Sequence, residues 1–302
     1  TDYNLLLLLL FISGTGVALY LPTAISFLSE IFSQKKRGVY IGIHETALPI
    51  GRAVGPILVG LALFWGLGWR GSIQVFFILP ILSLTTQLVF MREPAIQQTQ
   101  EGSQLTRSDS FKFSALSSYT PFILLLGATT CHGVGDTFLS LMPLYWTHDF
   151  GIEIATAALI VGLTRFSGAI GHIAAGYLSD VFGRLRILLS ISFFSVVLMI
   201  GSAYLPISAF LIVSLLGYSI LFDAYYPVLW VYVADITPPK ERTKMLGFLL
   251  AIYGILGAIN PVIIGFLAEN FGFKIAWIYP IALSALGFMF FLALRARFKG
   301  IT

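Results

Sequence analysis

Eight ionisable side chains stand inside long apolar segments of this chain, where water does not readily solvate a charge. They are His44, Glu45, Arg52, His132, Asp136, Arg165, His172 and Asp223. Burying a charge is costly, so each of these groups needs a partner or a function. Carboxylates and imidazoles there can bind and release protons, and guanidinium groups can bind anions through paired hydrogen bonds.

The spacing of these residues indicates which of them share a helical face. Glu45 and Arg52 are seven residues apart, which is close to two helical turns. His132 precedes Asp136 by four residues, so their side chains lie one turn apart on a helix. Each pair is therefore a candidate for a proton or substrate pathway.

Two interpretations of the buried charges stay open. In the structural one, Arg52 neutralises Glu45. Arg165 then neutralises Asp136 or Asp223, since all three stand near the middle of apolar segments. In the functional one, a carboxylate that is left over binds and releases protons, because removal from water favours its protonated form. Asp136 and Asp223 are the preferred proton carriers.

The composition is that of a membrane protein. Of the 302 residues, 57% are hydrophobic and 11% are charged, and the mean hydropathy is +0.90. Soluble domains carry about 25% charged residues. Cys131 is the single cysteine, so no disulfide and no thiolate metal cluster is expected. The basic residues are scattered over separate short loops, which argues against a nucleic-acid partner, and no cofactor is predicted.

Nine apolar segments are long enough to cross a bilayer, for which about 20 residues suffice. They are residues 5–31, 39–65, 71–91, 119–146, 154–178, 187–205, 207–234, 245–268 and 275–295. The sequence thus predicts an all-α membrane protein with nine transmembrane helices. The polar stretch 92–118 is typical of a cytoplasmic linker. It separates a partial N-terminal bundle of three helices, residues 1–91, from a C-terminal six-helix bundle, residues 119–302.

The distribution of basic residues predicts the orientation of the spans. When the loops alternate between two sides, one set carries 14 of the 18 Lys and Arg residues and the other set carries two. Positively charged loops stay in the cytoplasm. We therefore expect a multi-pass protein of the cell membrane, with Thr1 outside and Thr302 in the cytoplasm.

Residues 20–60 are repeated as residues 225–265, at a constant offset of 205 positions. The matched positions include Arg37 and Arg242. A repeat of this length in so apolar a chain indicates two homologous half-bundles. Residues 119–205 have no counterpart in the first half, so we expect that the first three of twelve helices are missing.

A short motif from Gly176 to Arg184, with Asp180 and Gly183 inside it, lies in a predicted cytoplasmic loop. It resembles the G-x-L-x-D-x-x-G-R loop signature of the major facilitator superfamily. The glycines permit a tight turn and a close approach of helices, and Asp180 can face a helix N-terminus or a neighbouring arginine. The resemblance covers the whole chain, as the last nine helices of a twelve-helix member, and implies that family's bundle.

A second resemblance lies in the second predicted span. The residues that carry it are Gly42, Gly51, Gly55, Pro56 and Gly60. Their spacing resembles the G-x8-G-x3-GP-x2-GG pattern of the family's proton-coupled antiporters, with Val59 in place of one glycine. Small residues at such spacing also make a helix face for close packing, and that alternative stays open.

The family resemblance implies a secondary active transporter that works by alternating access. The leading prediction is a proton-coupled exporter, an antiporter, of small organic compounds. The alternatives are a proton-coupled symporter of a small organic anion, clamped by Arg52 and Arg165, and an inactive truncated carrier. No P-loop occurs in the sequence, which argues against an ATP-driven pump. No H-E-x-x-H motif occurs, and His44–Glu45 and His132–Asp136 lack a third metal ligand, so an enzyme is not predicted. Expected partners are the lipid bilayer, a small-molecule substrate and protons, and the carrier is expected to be a monomer.

Overall fold

The computed structural model describes residues 3–90 and 120–297, which contain thirteen α-helices. In chain order they are Tyr3–Ile31 (α1), Arg37–Glu45 (α2), Ala47–Phe64 (α3), Gly68–Phe90 (α4), Thr120–His132 (α5), Val134–Phe150 (α6), Ile154–Phe182 (α7), Arg184–Tyr204 (α8), Ala209–Ile236 (α9), Arg242–Gly257 (α10), Asn260–Phe271 (α11), Phe273–Ala276 (α12) and Ile278–Arg297 (α13). A short 3-10 helix, Pro239–Glu241, precedes α10. The predicted linker 92–118 lies outside the described residues.

Each of the nine predicted spans is occupied by one helix or by consecutive helical pieces in these ranges. In the part of the chain that the structure describes, seven helical stretches are long and apolar enough to cross a membrane. Large apolar side chains on α8, such as Phe194 and Val197, are about half exposed, which is typical of a surface that faces lipid. These are the features of an all-α membrane protein.

Two spans are broken by proline. Proline has no N–H, and its ring clashes with the carbonyl four residues earlier. Pro49 stands four residues after Glu45, the last residue of α2, and Pro261 stands four residues after Gly257, the last residue of α10. A third break falls at Gly133, between α5 and α6. Glu45 therefore ends a helix in the interior of its span.

The chain divides into two compact units, Thr1–Ile50 with Tyr119–Thr302, and Gly51–Ser118. α2 belongs to the first unit because it packs on α7 and α9. The first unit therefore joins the α1–α2 segment to the helices from α5 onward. The predicted boundaries of the three domains stay predictions.

α2 and α7 approach so closely that their crossing requires glycines. The carbonyl oxygen of His172 lies 2.6 Å from the position that a Cβ on Gly42 would take. A Cβ on Gly176 would clash with the main chain of Gly38. Small residues one turn apart let two helix backbones touch. Gly42, which the sequence assigns to an antiporter-like pattern, thus packs at this crossing.

Gly176→Ala is expected to destabilise the protein by about 1–3 kcal/mol, because the new methyl group meets main-chain atoms of Gly38 that cannot rotate away. Gly162→Ala is the matched control on the same helix, since a Cβ there meets no described atom within 4 Å. Thermal unfolding of the purified protein in detergent measures both effects. A Gly176→Ala protein that melts at the wild-type temperature would contradict the close crossing.

Candidate functional site

An ion pair lies near the middle of two spans of the first unit. Nη2 of Arg165, on α7, donates to Oδ1 of Asp136, on α6, over 3.1 Å. The Arg165 side chain is 10% exposed, whereas the Asp136 side chain is 41% exposed. The guanidinium carbon also lies 5.9 Å from the centre of the Phe222 ring, within the range of a cation–π contact. The arginine is thus fixed from two sides, while its acidic partner remains accessible.

Asp223 approaches the same part of α7 from α9. Its side chain is fully buried, and its carboxylate lies so close to Gly168 that a Cβ there would clash with it. Gly168 follows Arg165 by three residues, so both face the same side of α7. Asp136 and Asp223 therefore reach α7 within about one helical turn of each other. The structure brings together three of the residues that the sequence singles out.

His132 lies one turn before Asp136 along the chain, but its contacts are with α9. Its ring stacks on Tyr225 with 3.8 Å between the ring centres. Its Nε2 lies 3.1 Å from the carbonyl oxygen of Phe222. A carbonyl only accepts, so Nε2 carries the hydrogen of this bond. The histidine thereby joins α5 to α9, and its part in a proton pathway stays a prediction.

A second polar group links α1, α2 and α9. Oε2 of Glu45 accepts a hydrogen bond from the indole N–H of Trp230 over 3.1 Å. Oε1 of Glu45 lies 3.0 Å from Nδ1 of His44, whose Nε2 lies 2.7 Å from the hydroxyl of Tyr20. Arg52, the predicted partner of Glu45, belongs to the second unit, so that pairing stays a prediction.

The predicted loop motif closes one end of the first unit, which we call the basic end and define by Arg37, Gly183 and Arg242. Asp180 accepts hydrogen bonds from the main-chain N–H groups of Gly38, over 3.1 Å, and Val39, over 3.0 Å. Both N–H groups belong to the first turn of α2, where they have no partner within the helix and the helix dipole favours a negative charge. Asp180 also pairs with Arg184. Asp180 therefore contacts both a helix N-terminus and a neighbouring arginine, the two partners that the sequence suggests.

The same end holds a wider set of ion pairs. Arg37 pairs with Asp235 at the end of α9, and Nε of Arg184 lies 3.4 Å from the other oxygen of Asp235. Arg184 also donates from Nη2 to the carbonyl of Gln34 over 3.0 Å. Gly183 makes the turn into α8 with φ of +93°, a value that favours glycine. Charges from α2, α7, α8 and α9 thus hold the helix ends together.

The sequence repeat has a structural counterpart at the basic end. Arg37 donates to the carbonyl of Ser29 over 2.7 Å, and Arg242 donates to the carbonyl of Ala234 over 3.1 Å. Both the arginines and the carbonyls differ by the repeat offset of 205 positions. Each arginine therefore satisfies a free carbonyl at the C-terminal end of the preceding helix. The two copies of the repeat therefore stabilise the end of a span through the same arginine–carbonyl hydrogen bond.

Sequence reasoning missed several members of these clusters. They are Tyr20, Arg37, Trp230 and Asp235. Arg37 and Asp235 both fall within the repeat, which was the available signal for them. Of the antiporter-like pattern, Gly51 lies in the second unit, and the surroundings of Gly55, Pro56 and Gly60 lie outside the described part of the chain. Within the described ranges, three or more His, Cys, Asp or Glu side chains nowhere converge on a metal position.

These observations define the class of protein. A helical membrane bundle with charges near the middle of its spans and a set of ion pairs across one end is the architecture of a carrier. The model of the Major Facilitator Superfamily matches residues 1–229 and 221–300. The chain belongs to that family.

Particular relatives are similar over most of this chain. The hexuronate transporter of Bacillus subtilis (strain 168) is 24% identical over 298 residues, which are 88% of this chain and 67% of that protein. A probable sulfoacetate transporter of Cupriavidus necator is 25% identical over 292 residues, 89% of this chain and 67% of that protein. The solved structure of the E. coli fucose:proton symporter FucP superposes with a TM-score of 0.72 at 18% identity, covering 90% of this chain and 72% of that one. This chain thus spans about two thirds of these relatives.

The matches confirm the predicted family and the predicted fold class, an all-α membrane bundle of the major facilitator type. The protein is therefore a multi-pass membrane protein of a transporter family and not of an enzyme family. The ion pair near the middle of the spans and the closed basic end are thus parts of a transporter.

Proposed function

We propose that this protein is a proton-coupled carrier that moves a small organic anion together with a proton by alternating access. The observation that carries the proposal is the Asp136–Arg165 ion pair near the middle of two spans. A substrate carboxylate and Asp136 are chemically equivalent acceptors for the guanidinium group, which forks two N–H groups toward one anion. The two therefore compete for Arg165.

This competition couples the proton to the substrate. When a proton binds a carboxylate oxygen of Asp136, the side chain becomes neutral and its bond to Arg165 weakens. The buried guanidinium then needs another negative partner, which an organic anion supplies. The anion and the proton thus enter together and leave together, which is symport.

Exposure and hydrogen bonding support this assignment of roles. The Asp136 side chain is 41% exposed, so protons from water can reach it, whereas Arg165 is 10% exposed. Nη1 of Arg165 has no hydrogen-bond partner among the described residues, which leaves capacity for a second acceptor. Asp223, fully buried against Gly168 on the same side of α7, adds negative charge near the arginine.

The named substrates of two relatives are consistent with an anion. Hexuronate and sulfoacetate each carry acidic groups that a guanidinium group can bind. The closed basic end supplies the other requirement of alternating access, a barrier that has to open. Asp180, Arg37 and Arg184 form that barrier with Asp235 and the start of α2.

Arg165→Gln is expected to lower the affinity for the organic anion about tenfold or more, since a hydrogen bond to a charged group is worth about 1.5–3 kcal/mol and about 1.4 kcal/mol is tenfold. The matched variant Arg165→Lys keeps the charge but loses the planar fork, so it should bind with intermediate affinity. Isothermal titration of the purified proteins with a hexuronate and with sulfoacetate measures the effect. Wild-type affinity in Arg165→Gln would contradict the role of Arg165.

Export by antiport is the second candidate. The observation that favours it is the spacing of Gly42, Gly51, Gly55, Pro56 and Gly60 in the sequence, which resembles the pattern of proton-coupled antiporters. A carrier of this type would move protons opposite to the substrate. The direction of proton movement on addition of substrate therefore distinguishes the two candidates.

A further inference from the structure

We propose that His44 and Glu45 form a second proton-binding site, and that Trp230 links the occupancy of this site to closure of the basic end. The inference rests on the proposed function only in that protons drive the carrier. It concerns a different cluster from the Asp136–Arg165 pair and a different step, the separation of the α1–α2 segment from the helices that begin at α5.

The geometry of the cluster assigns its hydrogen atoms. The Glu45 carboxylate only accepts, so Nδ1 of His44 carries a hydrogen and donates to Oε1 over 3.0 Å. Nε2 of His44 then accepts from the hydroxyl of Tyr20 over 2.7 Å when the ring is neutral. One further proton from water is accommodated at Nε2, with the hydroxyl rotated to accept, or on the carboxylate.

Trp230 makes the His44–Glu45 pair sensitive to the conformation of the carrier. Its indole N–H is a donor only, and it reaches Oε2 of Glu45 over 3.1 Å from α9. Both Glu45 and Trp230 are buried, so this hydrogen bond is shielded from water. A hydrogen bond to an ionised carboxylate is about twice as strong as one to a neutral acid. Protonation of Glu45 therefore weakens a contact that joins α2 to α9.

The groups around Glu45 come from four helices. α1 supplies Tyr20, α2 supplies His44, and α9 supplies Trp230. From α7, His172 touches α2 through its main-chain carbonyl at Gly42, one turn before Glu45. The ionic groups at the start of α2 are Arg37 and its partner Asp235, two turns away. Among the described hydrogen bonds, the carboxylate contacts the imidazole of His44 and the indole N–H of Trp230, and the phenol of Tyr20 contacts the far side of that imidazole.

The position of the His44–Glu45 pair determines which conformational change alters its contacts. Asp136 and Arg165 lie on α6 and α7, so their ion pair stays within the helices from α5 onward. The Glu45–Trp230 bond instead joins two segments that must separate when the basic end opens. By linkage, if deprotonated Glu45 favours the closed basic end, then opening favours protonation to the same extent. The cluster therefore binds protons in step with opening of the basic end.

A distance measurement across the basic end tests the proposal without any substrate. Cys131 is the only cysteine of the chain, so Cys131→Ala with single cysteines at Lys36 and Arg186, both exposed, allows two spin labels to be placed. Pulsed dipolar spectroscopy in lipid nanodiscs then gives the ratio of closed to open populations as a function of pH. Acidification is expected to lower the closed-to-open ratio of the wild type about threefold to tenfold, because charge assistance roughly doubles the strength of such a hydrogen bond.

Three variants and one control identify the cluster. Glu45→Gln is expected to be more open at every pH, and Trp230→Phe is expected to lose most of the pH response. Tyr20→Phe, at a position that is 56% exposed and tolerant of change, should shift the midpoint of the response. Tyr226→Phe, one turn away on α9 and bonded to Tyr253, is the control and should respond like the wild type.

The outcomes separate this inference from the proposed function. A wild-type pH response in both Glu45→Gln and Tyr20→Phe would overturn the second proton site. If that response disappears only in Asp136→Asn, then the pair on α6 and α7 is the sole proton site and the proposed function stands alone. A response that depends on Glu45 in a carrier that moves no protons with its substrate would support the cluster and refute the proposed coupling.

Discussion

Asp180→Asn is expected to slow transport turnover about tenfold or more while the protein still reaches the membrane. Asp180 accepts two main-chain hydrogen bonds from the start of α2 and pairs with Arg184. Hydrogen bonds to a charged group are worth about 1.5–3 kcal/mol each, and about 1.4 kcal/mol is tenfold in an equilibrium. Removing the charge therefore destabilises the state in which the basic end is closed, and the carrier spends less time in it.

The measurement is transport in proteoliposomes. The initial rate at saturating substrate and the substrate affinity are each compared between the variant and the wild type. Asp149→Asn is the matched control, because Asp149 also carries a paired carboxylate, with His148, but lies outside the basic end. Gly183→Val should resemble Asp180→Asn, since φ of +93° strains a β-branched residue. Normal turnover in both variants would show that this loop only connects α7 to α8.

Asp136→Asn is expected to abolish coupling to protons and to leave exchange of substrate across the membrane. The amide mimics the protonated acid, so Arg165 is permanently released to the anion. Asp223→Asn provides the comparison. Asp223 is fully buried against the main chain of α7, whereas Asp136 is 41% exposed and accessible to protons. We therefore expect Asp223→Asn to act on folding and on the position of Arg165 before it acts on coupling.

Two measurements on Asp136→Asn are compared, substrate counterflow and substrate accumulation against a gradient. Counterflow needs only the return of the loaded carrier, whereas accumulation against a gradient needs a coupled proton. Retained accumulation in Asp136→Asn would mean that another group carries the proton. Loss of counterflow together with accumulation would mean that Asp136 serves the structure of the site.

The spans and the loop motif follow from the sequence because apolar length, basic loops and glycine spacing are local properties. The breaks do not follow from the sequence in this way. Pro49 and Pro261 each stand four residues after a helix end, but Pro22, Pro80, Pro143 and Pro227 lie inside continuous helices. The pattern of buried charges identifies Arg165 and its acids as a group. It does not show whether Asp136 or Asp223 pairs with Arg165, because the pairing depends on how far each side chain reaches toward α7.

The partner of Glu45 shows where sequence reasoning stops. Seven-residue spacing favours Arg52, and that pairing stays a prediction. The structure adds a partner that spacing does not indicate, Trp230, which is 185 positions away and carries no charge. Such pairs depend on the packing of distant helices, which no local pattern contains.

Proton movement during substrate uptake is the most direct test of the proposed coupling. Proteoliposomes that contain the carrier and a pH-sensitive dye are given a hexuronate or sulfoacetate outside, without an imposed pH gradient. Symport acidifies the interior whichever way the carrier is inserted, since proton and anion move together, and Asp136→Asn should give exchange without acidification. Uptake of substrate with a constant or rising internal pH in the wild type would contradict the account.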